Sequence, residues 1–439
     1  MGGSSRGSWT GHVGFVLAAA GSAIGLGNIW MFPYRTGQNG GAAFVLVYLA
    51  AVIAVGVPLL MAEVLIGRTT RRNPVGAFRE LRPGSPWLLV GALGVITGFV
   101  ILSYYGVVAG WVADYTWRMA TGGLATLETA GMQESFEALV GDPVRQVAWQ
   151  AGFMVATILV VSRGVEGGIE LASKVLMPLL FAFILVLLGY SLTSAGAKQG
   201  LEFLFSPRFG ELGWDGVLAA LGQAFFSLSL GMGAMITYGS YLEDDRGLIG
   251  PAFMIAGMDT LLAILAGLVI FPLVFSFGLE PGAGPGLIFV TLPKVFTLMP
   301  GSAFLATLFF ALVLFAALTS AISLLEVVVA FLVDEGGVGR SAASWGAGGI
   351  IFALGIPSAV FPGFLDGADA IANKYLLPGG GLLIALFVGW FFSREDAARA
   401  YGGQSGDDSG FELWRFCVRF FAPVAVVVIM LKSLGLLGG

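Results

Sequence analysis

Charge is what this chain has little of. Only 11% of its 439 residues are Asp, Glu, Lys or Arg, against about 25% in a soluble domain. It carries one cysteine, Cys417, and one histidine, His12. A single cysteine excludes an internal disulfide, and its apolar surroundings make Cys417 a helix-packing residue. With no Cys/His cluster there is no transition-metal site to expect. No nucleophile–base pair, phosphate loop or metal motif stands out, so an enzyme is not expected, and neither is a nucleic-acid partner. The N-terminal stretch is not a secretory signal, because the apolar run after it is too long and lacks a small-residue cleavage pattern. Its Met-Gly start only loosely resembles a myristoylation signal.

What fills the space left by charge is apolar: 57% of residues are hydrophobic and the mean hydropathy is +0.89. A membrane crossing needs about 20 mainly apolar residues. Such windows fall near 13–36, 41–66, 87–119, 144–162, 171–193, 214–241, 248–278, 302–333, 342–361, 369–392 and 411–435. The expected fold is an all-α polytopic membrane protein with eleven transmembrane helices. Arg68, Arg71, Arg72, Arg79 and Arg82 lie between the second and third windows; Glu128, Glu134, Glu137 and Asp142 lie in the next loop, with Arg145 at its edge. Arg163, Lys174, Arg246, Arg340, Arg394 and Arg399 continue the basic side. Positive charge stays cytoplasmic. The N-terminus, with Arg6, is therefore expected inside, the C-terminus outside, and the chain in the plasma (inner) membrane as a monomer or weak oligomer in the lipid bilayer. Segments 120–142, 194–213 and 279–301 are expected as outer loops, the last a partly helical plug, and 401–410 as a flexible cytoplasmic linker.

Two windows are interrupted at mid-depth. The first reads "AGSAIGLGNIWMFP" (Ala20–Pro33) and the sixth "FFSLSLGMGAMITYGSY" (Phe225–Tyr241). Glycine in a membrane helix usually means close packing. Here each interruption opens a group of five windows, and five is odd, so the groups insert with opposite topology. Matched breaks in inverted repeats are a signature of secondary transporters. The expected organisation is a cytoplasmic N-terminal segment 1–12 with inner-gate residues, repeats at 13–193 and 214–392 with helices 1 and 6 unwound, and an eleventh helix at 411–435. Irregular backbone at membrane depth survives only when buried in protein or lining a cavity. The freed carbonyls suit a hard cation such as Na⁺, and the freed N–H groups suit a carboxylate. Gly25 and Gly27 remove side chains that would keep the carboxylate from the backbone. Glu63, a carboxylate inside the second window, costs about 2.5–3.5 kcal/mol if unpaired and is expected to brace the free N–H groups of the broken helices.

"GSAIGLGNIWMFP", "NGGAAF", "FFSLSLGMGAMITYGSY" and "FAALTSAIS" resemble the neurotransmitter:sodium symporter family on its bacterial amino-acid branch, along about residues 6–435. The resemblance implies the five-plus-five inverted-repeat fold and Na⁺-driven uptake by alternating access. It places one sodium among Ala23, Asn28, Ser227, Asp259 and the substrate carboxylate, and a second among Gly21, Ile24, Ala316, Thr319 and Ser320. For Thr319 and Ser320 alone, a hydroxyl bonded to its own helix would be the ordinary reading. The implied substrate pocket uses Ala23, Gly25, Gly27, Ile101, Tyr105, Phe226, Ser227, Ser229, Met232, Ser320 and Leu324. In it Tyr105 bonds the carboxylate, Phe226 is the outer lid and Tyr104 is packing. With no charge facing this list except at the sodium site, the expected substrate is a neutral, zwitterionic amino acid with an apolar side chain. The adaptable Met232 favours Leu, Met, Phe, Tyr or Trp over Gly, Ala or charged ones.

The resemblance also assigns gates: Arg6, Trp9, Tyr241, Glu326 and Asp334 inside, and Asp369 outside. Where relatives carry an outer Arg this chain has Met31, and Arg35, one turn further out, either substitutes or leaves a water-mediated contact. In "GIELASKVLMP", Gly168 and Pro178 have the spacing of relatives whose fifth helix unwinds; Pro178 removes a donor, so unwinding over 168–174 is expected to release sodium, with a plain proline kink as the alternative. Tyr48, Gln223 and Ser227 keep the scaffold that holds chloride in chloride-dependent relatives, while Ala263 offers neither hydroxyl nor acid. Asp259 supplies the negative charge itself, so no chloride is expected; a protonated Asp259 acting like an amide is the alternative. An ion channel needs a continuous pore, usually from oligomeric rings, and a non-transporting receptor would not need gates at both ends. Both fit the pattern less well than a symporter.

Overall fold

The computed structural model describes residues 7–124, 129–243, 247–278, 286–299, 301–361, 363–402 and 410–436. Arg6 and Arg246 therefore lie outside the described residues, as do 403–409 of the expected linker. Among the described residues the structure is helical. Nine helices are long and apolar enough to cross a membrane: α3 (Ala42–Thr70), α5 (Leu88–Ala120), α7 (Pro143–Ser162), α8 (Val165–Ser191), α12 (Ile249–Ser276), α14 (Ala303–Gly336), α15 (Arg340–Val360), α16 (Phe364–Phe391) and α18 (Phe411–Ser433). A tenth crossing is the pair α1 (His12–Ala23) and α2 (Gly27–Gln38), bent by 54° at its break. The sixth window is split into α10 (Phe209–Ser227) and α11 (Ala234–Gly239). Neither half is a long continuous apolar helix, so the described residues hold nine crossings, or ten with the bent pair taken as one.

The two interruptions have different causes in the backbone. In the first, Ile24 turns extended (φ −70°, ψ 107°) and the helix restarts at Gly27. In the second, Ser229, Gly231 and Gly233 all take positive φ (54°, 82° and 75°), which no continuous right-handed helix permits. A Cβ on Gly231 would also lie 2.3 Å from the Leu377 carbonyl oxygen. That position requires glycine twice over, for conformation and for space.

Segments expected as outer loops hold helices: α6 (Thr129–Val140), α9 (Ala197–Phe205) and α13 (Leu287–Thr297). They are held by packing that windows of hydropathy do not register. Phe136 of α6 stacks on Phe289 of α13 with centroids 5.1 Å apart and planes at 3°, and Gly200 of α9 lets that helix sit directly on Pro272. On the opposite face α4 (Pro74–Leu81) is capped by the Asn73 side chain, which accepts from the N–H groups of Val75 and Gly76, satisfying donors that a helix start leaves open. The fifth crossing is helical from Val165 to Ser191 in this conformation; Gly168 sits in a π-helical turn, where any Cβ would meet the Val160 carbonyl oxygen at 2.1 Å. The expected unwound stretch at 168–174 is thus helical here.

Candidate substrate and sodium site

The two breaks face each other across one cavity of about 280 Å³. They are tied directly: the Ser229 hydroxyl donates to the Ser22 carbonyl at 2.8 Å. A strained positive-φ serine that persists only because its surroundings hold it is the kind of feature that gathers at ligand sites. All eleven residues expected around the substrate line this cavity: Ala23, Gly25, Gly27, Ile101, Tyr105, Phe226, Ser227, Ser229, Met232, Ser320 and Leu324. Gly25 and Gly27 leave no room for more. A Cβ on Gly25 would lie 2.8 Å from Ser320 Oγ, and one on Gly27 would lie 3.0 Å from the Phe226 ring. The Tyr105 hydroxyl is buried beside Leu26 and Ser320, and among the described residues it makes no hydrogen bond of normal geometry. An orphan donor beside a broken helix is costly, and a carboxylate would satisfy it.

At one end of the cavity the oxygens of Ser227 and Asp259 converge, and Asn28 turns its amide nitrogen toward them while its Oδ1 accepts from the Gly25 N–H at 3.0 Å. Asn28 Nδ2 donates to Asp259 Oδ1 at 2.7 Å and lies 3.1 Å from both Ser227 Oγ and the Asp259 carbonyl. Ser227 Oγ donates to Asp259 Oδ2 at 2.6 Å, and the Tyr48 hydroxyl approaches the same oxygen at 3.4 Å. Every partner of this fully buried carboxylate is a donor. Gln223, the third member of the chloride-type scaffold, is engaged elsewhere: it donates to the Gly27 carbonyl at 3.2 Å and accepts from Arg35 at 3.1 Å. The second oxygen set lies behind the first break. Ser320 Oγ donates to the carbonyls of Ser22 and Ile24, both at 3.2 Å. Thr319 stands against Gly21, whose Cβ would be 3.2 Å from Thr319 Cβ, but its hydroxyl is turned to its own helix, onto the carbonyls of Phe315 and Ala316. The second set is all oxygen, the chemistry a hard monovalent cation requires; in the first, Ser227 and Asp259 offer oxygens, and Asn28 would have to turn its amide to add a third.

The comparisons with known proteins agree on what this architecture is. The model of the sodium:neurotransmitter symporter family matches residues 6–134 and 128–437. The chain belongs to that family. An uncharacterised sodium-dependent transporter of Bacillus subtilis, YhdH, is 41% identical over 98% of this chain and 98% of its own length. A sodium-dependent transporter of Haemophilus influenzae is 34% identical with the same coverage of both chains. Among solved structures, MhsT in complex with L-phenylalanine superimposes with a TM-score of 0.90 at 47% identity, covering 98% of this chain and 100% of that one. This sodium-dependent symporter is accordingly a multi-pass membrane transporter and not an enzyme.

In this symporter the cavity is shut toward Trp9. The Trp9 indole donates to the Tyr238 carbonyl at 2.9 Å and meets the Tyr238 and Tyr241 rings edge-on. Behind it the Tyr241 hydroxyl donates to Glu326 at 2.5 Å, and Glu326 is ion-paired with Arg340, which also donates to the Val161 carbonyl. Asp334 accepts from the Asn73 N–H at 3.0 Å and side-chain amide at 3.1 Å, which fastens α4 to the end of α14. Arg340 was not singled out from the sequence as a gate residue. The signal was there: a carboxylate fully buried in a span needs a cation within reach, and Arg340 is the first one after the helix ends.

Toward Asp369 the cavity stays open. Phe226 separates it from a wider vestibule of about 380 Å³ that holds Met31, Arg35 and Asp369. Arg35 does not replace the missing gate arginine here. Its guanidinium turns to Gln223 and the Ala219 carbonyl, and Asp369 accepts instead from Asn373 at 2.7 Å. Tyr104 is more than packing, since it lines the cavity with its hydroxyl beside Asp369. Glu63 is fully buried and accepts from the Gly231 N–H at 2.7 Å. Among the described residues only the second interruption supplies it a donor, and its other oxygen has none.

Proposed function

We propose that this symporter carries hydrophobic L-amino acids into the cell together with Na⁺, by alternating access between two inverted five-helix repeats at 13–193 and 214–392. The observation that carries the reading is the cavity itself. A broken helix and the Tyr105 hydroxyl, which has no hydrogen bond of normal geometry among the described residues, mark one polar end, while Ile101, Val108, Phe226, Met232 and Leu324 give the cavity its apolar wall. A volume of about 280 Å³ is near the small end of ligand sites, roughly 300–1,000 Å³, and suits one amino acid. The bound L-phenylalanine of MhsT, 47% identical, supports the same class of substrate.

Two sodium ions are assigned, one to Ala23, Asn28, Ser227 and Asp259, the other to Gly21, Ile24, Ala316, Thr319 and Ser320. Transport needs no chloride, because Tyr48 and Ser227 are spent as donors on Asp259. The Asn28 amide and the Ser227 and Tyr48 hydroxyls around Asp259 support the reading that it binds sodium as a carboxylate. The arginine-rich loops support a cytoplasmic Trp9 face, which makes the conformation with Phe226 under an open vestibule the outward-facing one. Trp9 at one face and Lys432, ion-paired with Asp215 at 2.6 Å, at the other fit an odd number of crossings, eleven if α10 and α11 form one broken span. A competition screen of the twenty amino acids in Na⁺ tests the substrate class. Leu, Met, Phe, Tyr or Trp should displace label best; Gly or Glu as the strongest competitor would refute it.

A further inference from the structure

A second polar pocket lies far from the transport cavity, where the end of α16 and the helix α17 (Arg394–Gly402) meet the start of α18. It holds about 410 Å³ and is lined by Arg394, Glu412, Arg415, Phe416, Arg419 and Phe420. Arg415 and Arg419 are one turn apart on α18, and so share a face. Three guanidinium groups against one carboxylate leave a net charge of +2, and that carboxylate, Glu412, is ion-paired with Arg394. Arg415 Nη1 and Arg419 Nε are buried and have no hydrogen-bond partner among the described residues. The Arg419 guanidinium is held 3.7 Å from the centroid of the Trp390 ring and 5.5 Å from that of Phe420, which fixes its plane without satisfying its donors.

Cationic side chains in a membrane span are costly unless paired, and here the one carboxylate of the pocket, Glu412, is ion-paired with Arg394. We propose that Arg415 and Arg419 bind the phosphate of an anionic phospholipid headgroup. A phosphate offers several acceptor oxygens to the planar donor fork of arginine, so one ligand would satisfy both orphaned nitrogens and the excess charge. A lipid rather than a free ion is favoured by what surrounds the mouth. Trp390, Phe416, Phe420 and Phe421 are exposed on membrane-spanning helices and provide an apolar bed for acyl chains. The pocket also lies at the end of a span on the arginine-rich face, where Arg82 donates to the Phe391 carbonyl at 2.7 Å. Basic pockets between helices at that level are where phospholipid headgroups are recognised.

The test uses the full chain purified in detergent. Its thermal unfolding is followed against added phosphatidylglycerol, phosphatidylcholine or inorganic phosphate. Phosphatidylglycerol should raise the unfolding temperature, and the other two should not. The double variant Arg415→Gln/Arg419→Gln should bind phosphatidylglycerol roughly tenfold or more weakly. Arg399→Gln, which removes an exposed charge from the same face, should leave the response intact. An unchanged response in the double variant, or an equal response to phosphatidylcholine, overturns the site. An equal response to inorganic phosphate overturns the lipid assignment. Should the double variant fail to fold, native mass spectrometry of the unmodified protein decides. Preferential retention of phosphatidylglycerol over phosphatidylcholine supports the site, and equal retention overturns it.

Discussion

Asp259→Asn is the substitution with the most to say about how sodium is held. The change is nearly isosteric, and the side chain can keep the Ser227 and Asn28 contacts by rotating its amide. What it loses is a full negative charge at the convergence of Asn28, Ser227 and Asp259. Two unit charges about 4 Å apart interact by roughly 4 kcal/mol at an effective dielectric near 20. Even a third of that, about 1.4 kcal/mol, is a factor of ten in affinity. The expected result is therefore a rise of at least tenfold in the Na⁺ concentration needed for half-maximal binding of labelled amino acid. The assay is a Na⁺ titration of scintillation-proximity binding, run once in chloride and once in gluconate. The native protein should give the same curve in both anions. The variant should be weaker in gluconate, and chloride, drawn to the vacated negative position between Tyr48 and Ser227, should recover part of the loss. A variant whose Na⁺ curve is unchanged in gluconate would refute the charge argument, and a native protein that fails in gluconate would refute chloride independence.

Three further substitutions probe the rest of the site. Tyr105→Phe removes the orphan hydroxyl assigned to the substrate carboxylate; losing a hydrogen bond to a charged group, about 1.5–3 kcal/mol, should raise the apparent Kd for the amino acid roughly ten- to hundredfold while Na⁺ binding alone persists. Gly231→Ala forces a Cβ to within 2.3 Å of the Leu377 carbonyl oxygen at φ 82°; overpacking of this kind costs about 1–3 kcal/mol before backbone strain is added, and a fluorescence melting curve should show a lower unfolding temperature. Pro178→Ala restores a backbone donor inside α8 and favours the straight helix by up to about 3 kcal/mol, so it should slow turnover by tenfold or more in flux assays and leave equilibrium Na⁺-dependent binding intact.

Much of the site could be read from the sequence because its cause is local. "AGSAIGLGNIW" and "FFSLSLGMG" cannot run as regular membrane helices, and wherever such breaks occur they need each other's free groups; the Ser229–Ser22 bond is that need met. Residues whose placement depends on a distant partner were harder. Arg35 lies one turn beyond Met31, yet it turns to Gln223 on another helix rather than to Asp369. Tyr104 and Tyr105 are neighbours with the same chemistry, and only the rotation of α5 decides which side of the cavity each faces. The short helices α6 and α9 are stabilised by aromatic and close glycine contacts to distant residues that no hydropathy window detects. The sixth crossing was the least regular of all, since three positive-φ residues leave too little continuous helix on either side of the break.

The central claim is that a sodium gradient drives this cavity's substrate across the membrane. The most direct measurement is uptake of labelled phenylalanine into proteoliposomes under an inward Na⁺ gradient, with potassium replacing sodium outside as the control and gramicidin added at the plateau. Coupled symport predicts transient accumulation above the outside concentration only with the Na⁺ gradient, followed by release when gramicidin collapses it. Equal uptake in sodium and potassium, or an ion conductance with no accumulation of the amino acid, would contradict the account.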